Sequence, residues 1–224
     1  MNWELMWDSL PKLLGGVPLT LQLTGLSLAV GVLIAAVAAA ARLSDNLLFR
    51  SAAWSYVFIF RGTPLLVQIF LIYYGLGQFD AVRQSFLWPV LREAYWCAVL
   101  ALALNTGAYA SEIFRGAVLS VPHGQVEAAR ACGMSRWLAF RRIVAPQALR
   151  QALPAYGNEV VLMVKASSLA STVTLLEITG VARRLISQTY AVFEIFIVAG
   201  LIYLALNTLA AVAVRWCEKR LATA

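Results

Sequence analysis

Four ionisable residues lie within or against long apolar runs of this chain: Arg61, Glu112, Glu159 and Lys165, accompanied by Asn105, Tyr109, Asn158, Ser167 and Ser168. Charges at membrane depth are costly and face a pathway or a partner. The chemistry they offer is recognition of a zwitterion: Lys165 or Arg61 can meet a carboxylate, and Glu159 or Glu112 an ammonium. Plainer roles stand beside that one. Glu112 and Arg115, three apart on a helix, can pair with each other. Asn105 and Tyr109 can bridge helices, and Arg61 can snorkel or bond carbonyls at the break that Pro64 makes. Covalent chemistry has no support, because no nucleophile with a neighbouring base, paired carboxylate set or metal cluster is present. Cys97, Cys132 and Cys217 have no metal-binding spacing and leave an odd count, and His123 stands alone.

A second group is Glu127 to Pro146, EAARACGMSRWLAFRRIVAP. It is too polar for lipid and too rich in helix formers for a slack linker. Gly133 and Pro146 punctuate it, so two short helices are expected, one over Glu127 to Cys132 and one around Trp137 to Val144. Ala128, Ala129 and Ala131 allow close backbone approach to a groove. Gly133 either turns the chain toward a partner or is only a helix cap, and spacing alone does not choose between the two.

The elements that must position these groups are membrane spans. The 224 residues are 61% hydrophobic and 13% charged, and the mean hydropathy is +0.76, far from a soluble domain. The expected fold is an all-α polytopic membrane protein of one domain, residues 1–224, with five spans at about 13–41, 53–77, 95–113, 160–178 and 191–214. Span two is interrupted near its start by Arg61-Gly62-Thr63-Pro64, and the polar stretch at about 115–158 is the one long connection. Glu4 and Asp8 take the place of a basic leader, so no cleaved signal is expected. With the N-terminus outside, eleven of the eighteen basic residues fall on cytoplasmic segments: Arg42, Arg50, Arg115, Arg130, Arg136, Arg141, Arg142, Arg150, Arg215, Lys219 and Arg220. That bias sets the orientation, C-terminus in the cytoplasm, and explains the +7 net charge without nucleic acid.

The spacing Glu127-Ala128-Ala129, three residues, Gly133, nine residues, Ile143, one residue, Ala145-Pro146 resembles the cytoplasmic EAA loop of ABC importer membrane subunits, with Ala145 where the pattern has Leu. RGTPLLVQIFLIYYG (61–75), NTGAYASEIFRGAVLSVPHGQVEAARACG (105–133) and ALPAYGNEVVLMVKASSLAS (152–171) look like the polar amino-acid uptake permeases, and SVPHGQVEAAR resembles their M-type subunit of histidine, lysine, arginine and opine systems. The resemblance covers nearly the whole chain. It implies a type I importer of the bacterial inner membrane. This permease would pair with a second one, a heterodimer being favoured over a homodimer, and work with two cytoplasmic ATPases and a periplasmic substrate-binding protein. Glu127, Ala128, Ala129, Gly133, Ile143 and Pro146 would then couple it to the ATPases. No Gly-x-x-x-x-Gly-Lys-Ser/Thr loop occurs in this chain, so ATP and Mg are expected on the partner, with no cofactor or metal held here. A stand-alone channel or secondary carrier for small polar solutes is the alternative class, and it has no evident need of such a loop.

Overall fold

The computed structural model describes residues 2–222, all helices and connections without a strand. A first helix, α1 (Trp3–Leu14), is capped by Asn2, whose side chain accepts from the Leu5 amide. It packs Met6, Leu10 and Leu13 into an apolar cluster with the last two helices. The first expected span therefore starts later than Leu13, as α2 (Val17–Arg42).

The second expected span is α3 (Leu47–Gly62) and α4 (Leu65–Gln78), bent by 108° relative to each other. The break falls at the interruption expected at Arg61-Gly62-Thr63-Pro64, and the first helix begins at Leu47, ahead of the expected start at 53; the reason for the break is local. Pro64 forbids helical backbone in the residue before it, and Thr63 is extended at φ −115° and ψ 147°. Two short turns, α5 (Asp80–Arg83) and α6 (Trp88–Leu91), lead to α7 (Ala94–Leu119). Next come α8 (His123–Ala131) and α9, a helical rod over Arg136–Val173. Pro146 does not end the second helix of the expected pair, and the expected fourth span, 160–178, begins 24 residues early as part of this rod. The turn over Phe140–Val144 is π-helical, and its wider ring loosens the hydrogen-bond ladder just where Pro146 lacks a donor. The rod closes in a 3₁₀ stretch, Ser167–Val173, and Thr174 at φ 69° turns the chain before Ile178. Finally, α10 (Ile178–Thr189) is bent by 47° from the rod, and α11 (Val192–Ala222) completes the chain.

Among the described residues, Val17–Arg42, Ala94–Leu119 and Val192–Arg220 are each long and apolar enough to cross a bilayer, and the count reaches five if each bent pair is one span. The centre of the bundle is the crossing of α2 and α7. A Cβ on Gly31 would fall 2.3 Å from Thr106 Cγ2, and one on Gly107 would fall 2.9 Å from Ile34 Cγ2. With no water to expel from lipid, such close approach through small residues supplies the packing energy that joins helices. Leu23, Ile69, Ala98, Leu102, Met163 and Val173 then form a core around that contact.

Candidate functional site

The helix break shapes the first site. It strips carbonyls of their helical partners, and two amides satisfy them. Gln68 Nε2 donates to Phe60 O at 2.8 Å, Thr63 O at 3.1 Å and Thr63 Oγ1 at 2.8 Å. Asn105 Nδ2 donates to Phe60 O at 3.2 Å and Gln68 Oε1 at 3.0 Å. Asn105 is thus committed to holding α3, α4 and α7 together, the bridging role that its type allowed.

Beyond the break lies a cleft of about 370 Å³ between the ends of α2, α3 and α7, lined by Arg42, Trp54, Phe58, Arg61, Tyr109 and Glu112. Arg61 sits with its guanidinium carbon 5.1 Å from the centroid of the Tyr109 ring and, among the described residues, takes part in no salt bridge. Glu112 is held by two arginines: Arg42 Nε at 3.2 Å and the Arg115 fork at 2.7 and 3.1 Å. A carboxylate so held is already neutralised, so the cation-accepting role open to Glu112 is taken up by its own neighbours. Arg42 and Arg61 leave the cleft with excess positive charge.

Glu159 is buried on the rod, 8% exposed, beside Thr106 and under the electrostatic influence of Arg61. The remaining expected residues are not gathered there. Asn158 and Lys165 are exposed, while Ser167 Oγ and Ser168 Oγ donate to carbonyls of their own helix, Val164 and Lys165, at 2.8 and 2.6 Å. No group of three or more metal-ligating side chains occurs among the described residues.

Three buried or half-buried contacts escape sequence reasoning. Gln68 is one. Tyr56, donating to Leu104 O at 2.6 Å, is the second. The third is Glu177, fully buried, which caps α10 by accepting from Thr179 N at 2.9 Å and Gly180 N at 2.8 Å and takes a further bond from Tyr203 at 2.6 Å. An acid directly before a helical Ile-Thr-Gly run was the available signal for that cap.

The second site is the hairpin of α8 and the start of α9. Gly133 at φ 79° stops α8. The Gly133 amide donates to Arg130 O at 2.9 Å and the Met134 amide to Ala129 O at 3.1 Å, the paired bonds of a Schellman end. Ser135 caps α9 through the Leu138 amide. A hypothetical Cβ on Gly133 meets nothing within 4 Å, so glycine is needed there for its torsion angles and not for space. The reversal sets Ala128 and Ala129 against Ile143 and Pro146 around a crevice of about 410 Å³. Glu127 is exposed beside it. Ala117, Val121, Val144, Ala148 and Ala152 fasten the hairpin and the rod to the end of α7.

A family model described as the binding-protein-dependent transport system inner membrane component matches residues 31–223. The octopine transport system permease protein of Rhizobium meliloti is 60% identical over 206 residues, which are 92% of this chain and 84% of that one. The histidine/lysine/arginine/ornithine transport system permease protein of Escherichia coli is 43% identical over 206 residues, 92% and 87% of the two chains. A solved amino acid ABC transporter chain superposes with a TM-score of 0.88 at 35% identity, covering 98% of this chain and 99% of that one. An inward-facing methionine ABC transporter, at 17% identity and a TM-score of 0.74, shares the fold.

Proposed function

The chain belongs to the family of binding-protein-dependent transport system inner membrane components, and from that premise we propose that it is the permease subunit of an ATP-driven importer of polar, cationic amino acids or opines. The cargo class follows the relatives, two of which are named for octopine and for histidine, lysine, arginine and ornithine. The subunit is read as a single five-span domain of the inner membrane, N-terminus outside and C-terminus in the cytoplasm. A second permease, most simply a related one, completes the path. Two ATPases carry ATP and Mg, and a periplasmic binding protein delivers the cargo.

The observation that carries this reading is the glycine-turned hairpin, which gathers Ala128, Ala129, Ile143 and Pro146 around one crevice. In the proposed mechanism an ATPase surface engages Glu127, Ala128, Ala129, Gly133, Ile143 and Pro146. Because Arg136–Val173 is helical throughout, a displacement at the hairpin is delivered along the rod to Glu159, a hinge-and-lever transmission. On the cargo side Arg61, steadied by Tyr109, meets a carboxylate, and Glu159 meets the cationic end. Lys165, Asn158, Ser167 and Ser168 are secondary candidates on the same rod. The ATP-hydrolysing step lies wholly in the partner chains, and this subunit is not itself an enzyme.

The test is Gly133→Arg in the reconstituted importer. A β-carbon at φ 79° strains the turn by about 1 to 2 kcal/mol, and the arginine adds bulk and charge to the exposed end of the hairpin. The complex should assemble, with cargo-stimulated ATP hydrolysis and uptake both lost. Undiminished uptake would refute the coupling role. Uptake into liposomes holding this chain without ATPase or binding protein would favour the stand-alone carrier instead.

A further inference from the structure

The helix α8 borders two cavities that share no residue. Gln125, Ala128, Ala129 and Cys132 face the crevice already described, while His123, Val126 and Arg130, spaced three and four apart on the opposite stripe, face another of about 350 Å³. The proposed coupling role absorbs the first and leaves the second unexplained.

The second cavity is a cup with a basic rim and an apolar floor. His123, Arg130 and Arg136 form the rim, all three exposed, with no carboxylate in the lining and no salt bridge to either arginine among the described residues. Its floor includes Val118 and Phe140, and these two residues also line a crevice of about 200 Å³ that is otherwise Phe114, Ala117 and small or aliphatic residues of the rod. Basic cup and apolar lane are therefore neighbours that meet at Val118 and Phe140.

Its depth in the bilayer follows from helix length. The 26 residues of α7 span about 39 Å at 1.5 Å per residue, against about 30 Å of hydrocarbon. The last turn and a half, from Phe114 to Leu119, then emerges at headgroup level. Trp137, 69% exposed and stacked on Phe140 at 6.0 Å, is the amphipathic ring favoured at that level.

We infer that the His123, Arg130 and Arg136 cup with its Val118–Phe140 lane is a binding site for an anionic phospholipid, the arginines holding the phosphate and the lane an acyl chain. The charge excess at the rim and the apolar lane in line with it fit that amphiphile, whereas a free anion would use only the cup. Bound lipid would brace the face of the hairpin opposite the proposed ATPase contact, so the site stands independently of which cargo is carried.

Native mass spectrometry of the full chain, released from detergent containing equal phosphatidylglycerol and phosphatidylcholine, tests the inference. Wild type should retain phosphatidylglycerol in preference. Arg130→Gln with Arg136→Gln should lower that occupancy about thirtyfold, each arginine near an anionic surface contributing about a fivefold factor. Arg142→Gln with Arg150→Gln, which removes the same charge from the other crevice, should change it less than threefold. An equal fall in both double variants, no preference over phosphatidylcholine, or displacement of the lipid by inorganic phosphate would each overturn the site. All four side chains are exposed, and circular dichroism on each variant separates loss of lipid from loss of fold.

Discussion

Replacing Gln68 by Met, nearly its equal in volume, removes only the amide that repairs the helix break. Three donor contacts vanish, to Phe60 O, Thr63 O and Thr63 Oγ1, along with the Oε1 acceptor used by Asn105. Phe60 O keeps Asn105 at 3.2 Å, whereas Thr63 O loses the one side-chain donor seen on it among the described residues. Polar contacts between helices in a membrane are worth about 0.6 kcal/mol each on average and about 1.7 at most. Gln68→Met should therefore cost about 2 to 3 kcal/mol. Asn105→Ala loses two contacts and strands Gln68 Oε1, for about 1 to 2 kcal/mol. The two residues share one bond, so the double variant should cost less than the sum of the single ones by about 0.6 to 1.7 kcal/mol. Unfolding in mixed micelles at rising dodecyl sulfate fraction, followed by circular dichroism, measures all four corners of that cycle. A coupling energy of zero within error would show that the two amides do not act as one lock, and the account of the break given above would fail.

Two further outcomes rest on contacts of the same kind. Tyr203→Phe takes one of three donors from the buried Glu177 carboxyl, at 2.6 Å, and should lower stability by about 1 to 2 kcal/mol, read in the same unfolding assay; Glu177→Ala should cost more, because it also uncaps two amides of α10. Gly31→Leu must push apart α2 and α7, since even a Cβ would lie 2.3 Å from Thr106 Cγ2, whereas Gly25 on the same helix has nothing within 4 Å. The first should cost at least about 1 to 3 kcal/mol and the second, Gly25→Leu, less than about 0.5; equal thermal shifts would contradict the close crossing.

The parts of this fold legible in sequence are those set by the solvent. A bilayer demands about twenty apolar residues per crossing, so Val17–Arg42, Ala94–Leu119 and Val192–Arg220 announce themselves. The rod Arg136–Val173 did not, because its first half carries Arg141, Arg142, Arg150 and two prolines and so reads as a connection. Only backbone geometry reveals that a π-helical turn before Pro146 lets the helix run on. Among site residues, the Gly133 turn was legible because a positive φ has a short local signature. The Glu112 and Arg115 pair was legible from its spacing, but Arg42, seventy positions away from Glu112, was not. Asn105 stood out as polar within an apolar run. Its partner Gln68, 37 positions earlier, has no local mark, and packing alone joins the two.

The fastenings between elements decide where motion can occur. Gln68 and Asn105 tie α3 and α4 to α7, Arg42 and Glu112 tie α2 to α7, and the cluster of Ala117, Val121, Val144, Ala148 and Ala152 ties α7 to the rod. Arg61, Tyr109, Glu112 and Glu159 are thus carried by elements fastened to one another. Separating any two of them would break several interhelical bonds, each worth about 0.6 to 1.7 kcal/mol, or apolar packing. The least costly place for a path to open is consequently at the outer boundary of this body, against the second permease of the proposed pair. Spin labels on exposed Arg50 and Leu149 should keep their distance within one chain when nucleotide is added to the assembled importer. Equivalent labels on opposite subunits should separate or close by several ångströms. A large change within the single chain, with a constant distance across the pair, would place the gate inside this subunit and overturn the rigid-body argument.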